Sequence, residues 1–128
     1  MTQYYESLTA PCTTSVLVDT SASIGDLYFG ITLTAEPVTG LTFCVLVTHG
    51  LKNKTIPQSK IDLLLSALHD EIRGGGKFGF PIKNVHFTVS AVDYRESTST
   101  EPAIRMAVSK LIQNLLTTAS FVTIDDRT

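Results

Sequence analysis

Between Phe29 and Glu36 every second residue is apolar: Phe29, Ile31, Leu33 and Ala35 alternate with Gly30, Thr32, Thr34 and Glu36. A period of two marks a strand with one buried face. The same reasoning predicts a short β-branched strand over residues 15–18. It predicts a third strand in which Leu41, Phe43, Val45 and Val47 alternate with Thr42, Cys44, Leu46 and Thr48. Pro37 ends the middle strand, and the Val-Thr-Gly that follows permits a hairpin, so the three are expected to form an antiparallel meander.

The period then changes to that of a helix. Ile61, Leu64, Leu65, Leu68 and Ile72 fall on one stripe. Thr55 and Gln58 have the spacing of a capping box, Pro57 fits the first turn, and the glycines at 74–76 stop the helix. A fourth strand is expected with Val85, Phe87, Val89 and Ala91 inward and His86, Thr88 and Ser90 on the other side. A second helix begins near Thr100, with Glu101 and Pro102 in its first turn, and carries the stripe Ile104, Ala107, Val108, Leu111, Ile112, Leu115 and Leu116. It is expected to stop near Thr118, leaving residues 119–128 as a tail or the start of a linker.

The order β-β-β-α-β-α with one apolar stripe per helix describes an α+β two-layer sandwich. Both helices should lie on one face of a four-stranded sheet. The length of 128 residues suits one domain with its own core, expected over residues 1–118. With 43% hydrophobic and 17% charged residues the chain is a folding sequence, not a disordered one. A net charge of −2 withholds the overall basic signature of a nucleic-acid binder, so any RNA contact must come from a local patch. No run of twenty apolar residues exists to span a membrane, and the first residues lack the pattern of an export or transit sequence. Cys12 and Cys44, without CxxC spacing, suit a reducing compartment, with Cys44 as a small core hydrophobe.

Chemistry is sparse. The string GGGKFG at 74–79 has a helix before it and a strand after it, the reverse of a phosphate-binding loop, and Lys77 is followed by Phe78 rather than Ser or Thr. It reads as a turn. His49, His69 and His86 share no metal-ligand spacing and are expected in structural or solvated roles. No catalytic constellation emerges, and no cofactor is expected on this chain. Two polar loops remain, at 19–26 with Ser21, Ser23 and Asp26, and at 93–99 with Tyr94, Arg95, Glu96, Ser97, Thr98 and Ser99. An aromatic ring, a guanidinium and hydroxyls together suit contacts to bases and phosphates. Helix capping by residues 97–100 is the simpler role for the second loop.

Several strings, in order and spacing, resemble domain IV of elongation factor G. They are YYESLTAPC before the first strand, FGITLTAEPV with Glu36 and Pro37 at its end, GGGKFGFPIKNVHFTVSAVDY, and STSTEPAIRMAVSKLIQNLL with Glu101, Ala103 and Ala107 in matching places. The resemblance covers roughly residues 3–118. It implies the fold of the second domain of ribosomal protein S-five, including a left-handed β-α-β crossover, and a role without catalysis. GTP and magnesium would then be bound by a G domain elsewhere in the same factor. The implied partners are the rRNA of the ribosomal decoding region, reached by the two loops, ribosome recycling factor, and the factor's other domains. Tyr94, Glu96 and Ser99 match the family's tip, while Arg95 stands where elongation-type members have histidine. The first loop lacks the paired glycines and the arginine of elongation-type members. With its STST segment, the chain is more similar to the second mitochondrial elongation factor G. That branch implies ribosome recycling in the mitochondrial matrix; the alternatives are translocation, a cytoplasmic location, or an unrelated protein-interaction module or enzyme on the same fold.

Overall fold

The computed structural model describes residues 3–20, 26–40, 45–51 and 56–125. The elements are β1 (Tyr4–Leu8), β2 (Cys12–Asp19), β3 (Tyr28–Pro37), β4 (Val45–His49), α1 (Gln58–Ile72), β5 (Val85–Tyr94), α2 (Glu101–Thr118) and β6 (Phe121–Asp125). The α+β sandwich is present: a four-stranded mixed sheet, β2-β3-β5-β4, carries both helices on one face.

The expected meander is not. β3 and β4 follow each other in the chain, yet β5 lies between them, antiparallel to β3 and parallel to β4. Burial explains the order. β3 and β5 run for ten residues each and bury Phe29, Ile31, Leu33, Val85, Phe87 and Val89 almost completely, whereas Val45 and Val47 of β4 are only half-buried. The two strands with the most apolar surface take the centre, and the weaker ones take the edges. Residues 41–44, the first half of the expected third strand, lie outside the described residues, as does Thr55 of the expected capping box.

β5 corrects a second expectation. Its register with β3 shifts between Thr32 and Leu33: Leu33 pairs with Val89 and Thr32 with Ala91, so Ser90 is an extra residue. Such a β-bulge resets which side chains face inward. Ala91, expected in the core, is exposed, and Val92 and Tyr94 pack against the core instead.

The helices follow their stripes. α1 buries Ile61, Leu64, Ala67, Leu68 and Ile72, and α2 buries Ala103, Ile104, Ala107, Val108, Leu111, Ile112 and Leu115. Pro57 occupies the position before α1 and makes no side-chain cap; Gln58 bonds forward to Asp62 at 2.9 Å. Leu68 is fully buried and His69 is exposed. Leu68→Ala should therefore cost roughly 3 kcal/mol, and His69→Ala less than about 0.5 kcal/mol, in urea melts. Equal losses would show that the face of α1 is misassigned.

The segment expected as a tail contains a strand. β6 pairs antiparallel with β1, with Tyr4 opposite Asp125 and Leu8 opposite Phe121, and Leu8 and Phe121 join the core. This small sheet sits at the end of the main sheet where β2 starts and α2 finishes; Cys12 Sγ and Thr118 Oγ1 are 4.0 Å apart there. The turn after α1 meets it. Lys83 N–H donates to Glu6 O at 2.8 Å, and Glu6 N–H donates to Pro81 O at 2.9 Å. The Glu6 side chain is fully buried, and its carboxylate accepts the N–H groups of Phe78 at 3.0 Å and Phe80 at 2.9 Å. The glycine-rich string is thus a turn, and its backbone donors face an anion that the chain itself supplies.

Candidate functional site

The described ends of the first loop, Asp19, Thr20 and Asp26, and the second loop lie together at the far end of the main sheet. Asp19 pairs with Tyr28, and Phe29 with Tyr94, so the end of β2, the start of β3 and the end of β5 lie side by side. Thr20 N–H donates to Leu27 O at 3.0 Å across the mouth of the first loop, and Tyr28 N–H, at the start of β3, donates to Thr98 O of the second at 3.1 Å. Asp26 is exposed at this end. Ser21 and Ser23 lie outside the described residues.

The second loop folds around Ser99. Its hydroxyl accepts Arg95 N–H at 2.9 Å and donates to Tyr28 O, and the side chain is fully buried. Thr98 N–H and Ser99 N–H both donate to Arg95 O, at 3.2 and 2.8 Å. Ser99 therefore closes the loop onto β3. Thr100 holds the position before α2 but makes no side-chain cap, and the Thr98 and Thr100 hydroxyls are buried without a hydrogen-bond partner among the described residues. Helix capping is not what these side chains do. Tyr94 is half-buried against the core, whereas Arg95, Glu96 and Ser97 are exposed.

Arg95 is held in place. Its guanidinium carbon lies 3.5 Å from the centre of the Tyr28 ring, a cation–π contact, and the Tyr28 hydroxyl donates to Asp93 Oδ2. That donation, with desolvation and the Asp93 charge, raises the Tyr28 pKa above the usual phenol value, although Arg95 opposes it. Tyr28 stays protonated at neutral pH and keeps donating. The sequence candidates omit Tyr28 and include Asp93 only as a loop boundary. The available signal was an aromatic residue on the polar phase of a strand, two positions before Gly30.

The end as a whole is acidic. Among the described residues, Asp19, Asp26, Asp93 and Glu96 stand around a single cation, Arg95. The arrangement offers a fixed guanidinium, exposed carboxylates and the exposed Ser97 on a rigid support, which suits contact with another macromolecule. The histidines lie elsewhere: His86 Nε2 is 2.7 Å from Thr48 Oγ1, and His49 Nδ1 accepts Leu51 N–H at 3.3 Å.

No protein-family model matches the chain, and no curated protein sequence does. Its fold is similar to that in a crystal structure of a protein from Thermus thermophilus, with a TM-score of 0.75 at 17% sequence identity. The match covers 96% of this chain and 18% of that one, so the chain spans less than a fifth of the length of the protein it resembles.

Proposed function

We propose that this chain is a non-catalytic arm of a translational GTPase, inserted toward the ribosomal decoding region to drive ribosome recycling with recycling factor in the mitochondrial matrix. The polarity of the molecule carries this reading. β1 and β6 pair at one end, bringing Tyr4 beside Asp125, while Asp19, Asp26 and the 93–99 loop stand at the other. A domain with such neighbouring ends can be set into a larger chain and hold its tip at a distance. The Thermus protein supports this, since the matching region is a small part of a long chain. GTP and magnesium belong, on this reading, to another domain of the factor. The acidic tip favours a protein partner there, which suits recycling factor. Contact with rRNA would rest on Arg95 and the exposed Ser97 beside it, with most affinity supplied by the other domains.

Arg95→Ala in the full-length factor is the test. The side chain is exposed, so the domain should lose less than about 1 kcal/mol, the worth of an exposed cation–π contact. Ribosome splitting with recycling factor should slow about tenfold if one charge-assisted contact is lost, while ribosome-stimulated GTPase activity stays unchanged. Splitting at the wild-type rate by a normally folded variant would remove Arg95 from the mechanism. Tyr94→Ala is a poorer probe, because that ring packs on the core.

A further inference from the structure

The second face of the main sheet carries no helix among the described residues. It is paved with hydroxyls that bond across strands, Thr13 to Thr34 at 3.0 Å and Ser15 to Thr32 at 2.8 Å. Near the tip this face opens into a groove of about 460 Å³, lined by Ser15, Leu17, Gly30, Thr32, Ala91 and Asp93. The groove exists because position 30 has no side chain. A Cβ there would come within 3.0 Å of Asp93 Cβ and 3.3 Å of Leu17 Cδ1. Leu17, 57% exposed, is the large apolar wall of this groove, on a face that elsewhere shows mostly hydroxyls beside the exposed Ala91 and Leu46.

Charge is distributed unevenly between the two layers. Strands β2 to β5 contain Asp19, Glu36 and Asp93 and neither lysine nor arginine. The described cations lie on the helices (Lys60, Arg105, Lys110), in the turn before β5 (Arg73, Lys77, Lys83) or at the tip (Arg95). We propose that the groove over Gly30 docks an extended, cationic segment of a partner protein, with an arginine or lysine stem lying along Leu17 and its head group meeting Asp93. Long basic side chains bury their methylenes on apolar surface and keep the head group on a carboxylate. The hydroxyls of Ser15 and Thr32 supply partners for the segment's polar groups. The same corner of the molecule already holds a guanidinium, that of Arg95 over the Tyr28 ring. A nucleic acid is the poorer fit, since its phosphates would meet carboxylates and no cation on these strands. The proposal concerns the sheet face rather than the loops, and it stands or falls independently of ribosome engagement.

The test is a titration of the isotopically labelled 128-residue chain, followed by NMR, with a short blocked peptide of alternating arginine and glycine. The same peptide with citrulline for arginine removes the charge, and an oligo-uridine RNA tests the other class. The expected result is saturable binding of the arginine peptide, with shifts clustered at Ser15, Leu17, Gly30 and Thr32, and at least about tenfold weaker binding of the citrulline peptide. Leu17→Ser and Asp93→Asn should each weaken binding about tenfold. Leu17 is exposed, and asparagine keeps an oxygen for the Tyr28 hydroxyl, so both variants should melt normally. The proposal is overturned by no binding, by shifts on the helical layer, by equal binding of the citrulline peptide, or by RNA occupying the same residues. Concentration-dependent shifts there without peptide would overturn it too, by assigning the face to a second copy of the chain.

Discussion

Glu6→Ala is expected to cost about 4 kcal/mol of stability, out of a total on the order of 5–15 kcal/mol for a domain of this kind. The carboxylate is fully buried, and backbone N–H groups take the place of water around it: Phe78 N–H reaches both oxygens at 3.0 Å, and Phe80 N–H reaches Oε2 at 2.9 Å. Truncation strips those part-buried donors of their acceptor, at a cost of about 1–3 kcal/mol each. Gly76 makes the seat possible. A Cβ at that position would lie 2.5 Å from the Glu6 carboxylate. Gly76→Ala should therefore destabilise the wild-type chain and cost much less in the Glu6→Ala background, where the obstructing group is gone. The coupling in this double-mutant cycle should be on the order of 1–3 kcal/mol. Strictly additive losses in denaturant melts would mean that the turn and the carboxylate do not share one site.

That interaction also marks where sequence reasoning stops. A glutamate in a short segment such as Tyr4–Leu8 reads as a surface residue, because its burial depends on donors more than seventy positions later. The pairing of β1 with β6 is likewise non-local, and two five-residue strands carry too little alternation to announce themselves. Periodicity was sufficient where it acts directly. Each helix stripe settles against the sheet as expected, and β3 buries the phase that Phe29, Ile31, Leu33 and Ala35 define. Alternation tells which face a residue occupies, however, and not which strand lies alongside. For that reason the face of β4 was legible and its place beyond β5 was not. At the tip, residue types pointed to a loop with an exposed guanidinium, but Ser99 closes that loop internally, and the support for Arg95 comes from Tyr28 on a different strand.

The phase break in β5 was legible in principle. Continuing the inward set Val85, Phe87 and Val89 through Ala91 would drive Asp93 into the core and turn Val92 and Tyr94 outward. A charged residue in an apolar interior is costly enough that the conflict itself signals a bulge. Two single-residue deletions in this strand should consequently have opposite outcomes. Deleting Ser90 removes the extra residue: Val89 stays opposite Leu33, Ala91 stays opposite Thr32, and Val92 and Tyr94 keep their inward faces. The Ser90 hydroxyl is exposed and its contact with Thr32 O is long, at 3.4 Å, so little else is lost. Stability should fall by no more than about 1 kcal/mol. Deleting Thr88 can be absorbed only by straightening the bulge. That turns Val89, now fully buried, to the open face and brings Ser90 into the core. Exposing a valine costs about 1.5–3 kcal/mol, and burying an unpaired hydroxyl adds about 1–3 kcal/mol, giving a loss on the order of 4–5 kcal/mol. Urea melts of the two variants decide the matter. Comparable losses, or the larger loss for the Ser90 deletion, would show that the register of β5 is not set by a bulge at that residue.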